Sequence, residues 1–540
     1  MKSTMKKIIY LAVLLLVASS CDSFLDKKDP TATTFEEFYN DEEDLRRVVY
    51  SSYLDMFTHA NNRSVTFYMH DGKSDNAYSR QEGDNHQLIA SGNFNSSTSA
   101  FLYYYETHMK HLGRLNTFID KIDIPYVEDE AIRLKYKNIL EGLRVWHYFI
   151  LTNRWGDVPF HLQPADLSTA LQPVKPKEEI LKELFKLAEE ITAQLPDEEY
   201  TTDKYMFNKN SMKALTMRYA LYNEKFELAA KLAKEIMDSK KYELHPKYGD
   251  LFQYEACSNN KEFIMWLSKE STSNGKGETY AFRDLGPHFR TGAGQSYLVP
   301  LKSLVDSYWT KQGRPIDKCP LHSKEEYELN PNLNRDPRYA QSIFGHGDKF
   351  YGEEIDIYNS NSPMYYENKR SSKSGFWFKK FVSDKDAFKS GGKGSMEFGL
   401  LRYAEVLLTY AEAKIMLNQV DDLAKDCINQ VRRRAGLDMD LADVTLPAYS
   451  KYTQKEWIEL IRNERRVEFA GEGLRYDDII RWRVAEKVLN QPALGHTRLV
   501  DGKKETLKIE DRSFLPHNYK WPFHENSLKV EPGLHQNTGY

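Results

Sequence analysis

The chain has 540 residues, with 75 basic and 79 acidic side chains and a formal net charge of −4. That near-cancellation leaves no basic face for nucleic acid or an anionic membrane surface, so an uncharged or mixed partner is the better default. The length is enough to bury a large core as one big domain or a few intimately packed ones.

Met1 to Lys7 is basic, and Ile8 to Ala18 follows as an apolar run. The run holds about eleven positions, which fits a signal-peptide core and falls short of the roughly 20 that a spanning helix needs. Ala18, Ser19 and Ser20 then stand directly before Cys21. That pattern resembles a bacterial lipobox, although Ala18 occupies the place usually held by leucine. The expectation is a cleaved lipoprotein signal peptide over residues 1–20, with Cys21 as the site of lipid attachment. Multiple acyl chains on one residue hold a protein firmly to a bilayer. Residues 21–34 are polar, carry Pro30 and read as a tether, with the first helix starting near Thr34.

From Phe101 to Ile119, apolar residues recur in steps of three or four and predict a helix. A second helix runs from about Asp129 to Asn153 and stops at Gly156 and Pro159. Lys177 to Leu195 carries Ile180, Leu184, Leu187 and Ile191 in register and is closed by Pro196. Ser211 to Asn223 and Lys225 to Ser239 form a helix hairpin with small residues Ala220, Ala229, Ala230 and Ala233 at the expected contact. Tyr403 to Leu417 and Leu423 to Ala435 repeat the arrangement, ended by Gly436. No strict period is present, so these are tetratricopeptide-like hairpins and not a regular solenoid. Between them, residues 249–399 are rich in glycine and short aromatic runs such as Phe376 to Phe378. Long loops on a rigid scaffold are where binding usually sits.

Several segments together resemble the SusD/RagB family of Bacteroidetes outer-membrane lipoproteins. They are Cys-Asp-Ser-Phe-Leu-Asp at 21–26, Arg144 to Phe160 with its Gly-Asp-Val-Pro turn, Asp306 to Ile316, and Asp336-Pro337-Arg338. Leu401 to Lys414, Ile461 to Arg483, and the close from Trp521-Pro522-Phe523 to Tyr540 complete the set. The resemblance implies a mainly α fold, a SusD-like scaffold of tetratricopeptide-like hairpins with a loop-rich irregular subregion. It places that domain at 35–540, divided into an N-terminal helical part (35–248), a loop-rich part (249–399) and a C-terminal helical part (400–540). It also implies capture of nutrient glycans at the cell surface, in the outer membrane, and delivery to a SusC-like TonB-dependent transporter without bond cleavage. Peptide capture by the same architecture, or a protein-interaction role for the hairpins, are the alternatives.

The residues themselves carry no catalytic signature. Glu464, Glu468 and Glu472 lie at i, i+4 spacing beside Arg462, Arg465 and Arg466, which reads as an ion-pair network along one helix. A glycosidase would need two carboxyl groups about 5 to 9.5 Å apart across a sugar, whereas Asp477 and Asp478 diverge by about 100° on a helix. His108 and His111, with Glu106 nearby, have the spacing of a metal pair, but no third ligand is signalled, so no metal is expected. Nucleophile-elbow, zinc-protease and phosphate-loop motifs are missing, so no cofactor is expected. Cys257, Cys319 and Cys427 read as packing residues.

A glycan site needs aromatic faces for the sugar ring and polar groups for its hydroxyls. Two stretches offer both. The first, Asp71 to Phe94, contains Asp75, Asn76, Tyr78, Arg80, Asn93 and Phe94; the second, Tyr280 to Tyr297, contains Phe282, Arg283, His288 and Phe289. All of these, with Tyr280 and Tyr297, are candidate ligand contacts, while Phe376 to Phe378 is expected in the core.

Overall fold

Apolar stripes at helical spacing become a chain of mutually packed helices, and the caps decide where each begins. The computed structural model describes residues 40–57, 67–80, 84–123, 127–166, 173–267, 279–289, 292–437 and 452–540. The expected signal peptide, Cys21, the tether and the helix start near Thr34 lie outside the described residues. The long helices are α1 (Glu42–Phe57), α2 (Ser99–Lys121), α3 (Glu130–Trp155), α4 (Lys177–Gln194), α5 (Lys209–Tyr222) and α6 (Phe226–Asp238). After the irregular part come α7 (Tyr403–Met416), α8 (Asp422–Arg434) and α9 (Gln454–Glu468), then the short α10 (Arg475–Arg481).

The Asp129 side chain caps α3 by accepting from the amide of Ala131 at 2.8 Å. Gly156, with φ +89°, ends the helix. The next residue, Asp157, accepts from the Lys177 amide at 2.9 Å, and Val158 bridges to Lys175. The Gly-Asp-Val-Pro turn therefore sets the start of α4. Helix α5 begins two residues earlier than periodicity suggests, because Asn208 and Ser211 form a capping box.

Each helix from α2 to α6 packs on its successor. Helix α6 then packs directly on α7, and α7 on α8 and α9. Residues 239–402 are thus inserted between two neighbouring layers of one helical array. The strands β2 (Phe263–Leu267) and β8 (Phe398–Arg402) pair antiparallel near the two ends of this insertion and close it. Within it lie short antiparallel pairs: β4 (Ile343–Gly345) with β7 (Phe376–Phe378), and β5 (Lys349–Phe350) with β6 (Glu353–Glu354). β1 (Ala77–Ser79), from the N-terminal part, pairs with β3 (Leu298–Pro300). The fold is mainly α-helical with a minor, irregular β-rich subregion.

The expected C-terminal helical part also contains a β-hairpin, β9 (Ala493–Val500) with β10 (Lys503–Glu510). Its turn is Asp501-Gly502, both at positive φ (51° and 74°), the two-residue turn that matches strand twist. Phe376 to Phe378 is buried, as are Cys257, Cys319 and Cys427, which are free thiols.

The ion pairs differ from an along-the-helix pattern. Glu468 on α9 meets Arg338 at 3.1 Å, Arg402 at 2.7 Å, and Arg434. Glu464 meets Arg338 at 2.6 Å, and Glu472 meets Lys380 and Arg402 at 2.7 Å. Arg465 pairs with Asp478 at 3.1 Å. These groups are buried, so each carboxylate needs several donors, and neighbouring elements supply them. Burial would raise the Glu468 carboxyl, but Arg434, Arg402 and Arg338 hold it well below the usual carboxylate range. This seam ties α8 and α9 to the inserted segment, β8 included.

Candidate functional site

The β1–β3 ladder brings the two candidate stretches together. Ser79 faces Leu298, and one residue further the Arg80 amide donates to the Tyr297 carbonyl at 2.8 Å. The Arg80 guanidinium lies 5.2 Å from the centre of the Tyr297 ring, and its Nε donates to the Gln295 carbonyl at 3.0 Å. Arg283 approaches the same ring at 5.9 Å and that of Tyr280 at 4.2 Å. Two guanidinium groups thus bracket one tyrosine at cation–π distance. Tyr78, Arg80, Arg283 and Tyr297 are half-buried, each offering part of its side chain to solvent. Beneath them Asp284 is buried and accepts from Arg283 Nε at 2.9 Å and from the Tyr68 hydroxyl at 2.9 Å.

A second aromatic group adjoins this arc. Tyr351 and Phe388 are 44% and 47% exposed and meet edge to face, with centroids 5.1 Å apart. Phe289 supports Tyr351 from below at 5.9 Å. The segments are stitched together, since the Ala293 amide donates to the Ala387 carbonyl at 3.0 Å. Tyr351 is the first of two residues, Tyr351-Gly352, that turn β5 into β6, and it has φ +54°. A tyrosine in the left-handed region costs about 1–2 kcal/mol, at a tip where the ring projects into solvent.

The other candidates are placed differently. Asp75 is buried and paired with Arg475 and Arg466, both at 2.8 Å. Burial would raise its carboxyl, but Arg466 and Arg475 hold it well below the usual range. The Asn76 side-chain oxygen accepts from Arg466 Nε at 2.8 Å. The Asp75 carboxylate and the Asn76 side-chain oxygen are thus spent on the scaffold. Asn93 is exposed, whereas Phe94 packs on Phe101 at 5.0 Å and on Tyr540 at 6.2 Å, away from the arc. Phe282 and Phe289 are buried supports, Tyr280 is also buried, and His288 is half-buried, its imidazole held below its ordinary value by burial and by Arg370.

Sequence reasoning missed Tyr351 and Phe388. The available signal was a glycine following an aromatic pair, Phe350-Tyr351-Gly352, at the spacing of a tight hairpin.

His108 and His111 gain a third imidazole, His147 from α3, whose Nδ1 is 2.8 Å from that of His108. Burial pushes His108 down to about 3 and so keeps it neutral. Among the described residues no group of three His, Cys, Asp or Glu side chains is arranged to hold a metal ion. No helix among them is long and apolar enough to cross a membrane.

Comparison with known proteins gives a consistent result. The model of the SusD family matches residues 261–540. A SusD-like protein, P38, of Formosa agariphila is 25% identical over 98% of this chain and 97% of its own length. A SusD-like carbohydrate binding protein of Bacteroides fragilis superimposes with a TM-score of 0.80 at 25% identity, covering 92% of this chain and 100% of that one. A laminarin binding SusD-like protein shares the fold with a TM-score of 0.70 at 20% identity, over 93% of this chain and 100% of its own.

Proposed function

The chain belongs to the SusD family, and from that premise we propose that it binds glycan at the cell surface and delivers it to a SusC-like TonB-dependent transporter, without catalysis. The observation that carries this reading is the arc of Arg80, Tyr297, Arg283 and Tyr280 beside the exposed Tyr351–Phe388 pair. Flat rings cover the C–H faces of sugars, and guanidinium donors replace the water lost by hydroxyls. Relatives of the same fold include carbohydrate-binding and laminarin-binding proteins.

Binding without turnover agrees with the chemistry under the arc. Asp284 is 2% exposed and engaged by Arg283 and Tyr68, so it has no free path to a glycosidic oxygen. Two carboxyl groups flanking a sugar are what hydrolysis requires. In this reading Cys21 carries the lipid anchor in the outer membrane, residues 21–34 are the tether, and 35–540 form the capturing domain. Its packed helix pairs act as tetratricopeptide-like hairpins that present the loop-rich part, 249–399.

The test is retention of the soluble protein, starting after Cys21, on an array of neutral and acidic polysaccharides, with Tyr297→Ala and Tyr351→Ala alongside. We expect a hit that weakens in both variants without release of reducing sugar. Silence across the array, or a hit indifferent to both changes, overturns the assignment of this site.

A further inference from the structure

A cavity of about 170 Å³ lies between α2, α3, α10 and β8, and none of the arc's residues lines it. It is far larger than the 10–15 Å³ one water needs. Its charged lining pairs off almost completely. Arg154 pairs with Asp477, Arg218 with Glu405 at 2.6 Å, and Arg402 with Glu472 at 2.7 Å. The remaining ionisable group is Lys73, 1% exposed, whose side-chain nitrogen makes no hydrogen bond or ion pair among the described residues and which burial, then Arg154, holds well below the ordinary lysine value. It lies 4.7 Å from the centre of the Tyr104 ring and 5.0 Å from that of Trp521. Ring faces replace part of its hydration but supply no counter-charge. Fully buried His147 lines the same cavity, and its Nε2 has no hydrogen-bond partner among the described residues.

A buried ammonium with no counter-ion is costly, so an accompanying anion would favour the protonated form of Lys73, which lines open space bounded by Trp146, Ile150 and Trp521. We propose that this cavity binds a small organic monocarboxylate, its carboxylate on Lys73 and its apolar part against those side chains. A bound carboxylate supplies the counter-charge that no ion pair among the described residues gives Lys73, and the apolar walls disfavour a fully hydrated inorganic ion. A route in is marked by Asn153, Arg154 and Asp477, which line both this cavity and a second pocket of about 310 Å³. The lining of that pocket carries Arg154, Lys177, Arg481, Arg483 and Lys520 against Glu178, Glu224 and Asp477, a net positive approach for an anion.

The experiment is calorimetric titration of the soluble protein with butyrate, benzoate, the neutral analogue benzyl alcohol, and chloride, repeated on Lys73→Met. Benzoate or butyrate should bind, chloride and benzyl alcohol should bind at least about tenfold more weakly, and K73M should lose about tenfold or more. Methionine fills the lysine stem's space without a charge, so the variant should fold. A second measurement, the position of bromine in crystals soaked with 4-bromobenzoate, uses the unaltered protein and should place it in this cavity. No carboxylate binding up to tens of millimolar, equal binding by K73M, or bromine found elsewhere overturns the proposal and leaves a water-filled cavity.

Discussion

Arg80 donates its backbone amide to the carbonyl of Tyr297 at 2.8 Å while its guanidinium lies 5.2 Å from the centre of that residue's ring. One residue pair therefore fixes both the strand register and the cation–aromatic geometry of the candidate site. Replacing Tyr297 by alanine keeps the ladder but removes the ring that Arg80 and Arg283 share. Polysaccharide retention should fall about tenfold or more, because stacking partners carry a disproportionate share of binding energy. Thermal unfolding should move little, since the ring is half-buried.

Tyr351 carries a backbone penalty that asparagine would not. Its φ of +54° at the first position of a two-residue hairpin turn suits Asn or Gly. Tyr351→Asn should raise stability in urea by about 1 kcal/mol. The same change should weaken glycan retention. A variant that gains stability and keeps full retention would remove Tyr351 from the site.

Glu468 accepts from three guanidinium groups in a buried setting. Glu468→Ala leaves Arg338, Arg402 and Arg434 short of their counter-charge and should cost about 3–5 kcal/mol by equilibrium unfolding. Asp238→Ala breaks the exposed Lys234–Asp238 pair at 2.6 Å and should change stability by less than about 1 kcal/mol. Comparable losses in the two variants would contradict the buried-seam account.

Gly473 sits at φ +76°, and a Cβ built there would fall 1.9 Å from the Phe67 carbonyl oxygen. Gly473→Ala must both strain the backbone and displace the segment that follows α1. We expect a loss of more than about 2 kcal/mol, or no soluble protein, measured by expression and thermal unfolding.

Buried imidazoles set the acid limit of stability. Burial, then His111, holds His108 near 3, and burial, then His346, holds His496 near 4, against about 6.5 in the unfolded chain. Between those values the unfolded chain binds more protons than the native one, so this contribution is complete above pH 6.5 and is lost as pH falls toward 4. Asp71, raised by burial to about 7, has the opposite sign: it favours the folded state progressively as pH drops from 7 toward 4. His70, His86 and His147 are also lowered by burial, so the histidines outnumber it. Unfolding free energy should therefore fall between pH 6.5 and 4.5, and His496→Gln should remove on the order of 2 kcal/mol of that fall. A pH profile identical in the variant would rule out the His496 contribution.

Long helices were legible in the sequence because their apolar stripes recur at three and four residues, and α2, α3, α4, α6, α7 and α8 lie within a few residues of that reading. The pairing of Glu464, Glu468 and Glu472 was legible only as a tendency to form ion pairs. Their partners Arg338, Lys380, Arg402 and Arg434 stand far away in the chain, and no local spacing names them. Asp75 and Asn76, set among glycine and serine, have the composition of a binding loop. The structure instead turns them inward to Arg466 and Arg475.

The sequence by itself determined the helical scaffold, the two segments rich in aromatic and polar groups, and the family. Each of these is carried by local periodicity, composition or contiguous motifs. Tertiary structure alone decided that β1 and β3 bring Arg80 to Tyr297, that Tyr351 and Phe388 stand at the surface while Phe282 and Phe289 lie beneath, and that Lys73 is buried with no ion pair among the described residues. Burial and partnership depend on which distant segments arrive at the same place. That is a property of the packed chain and not of any stretch of it.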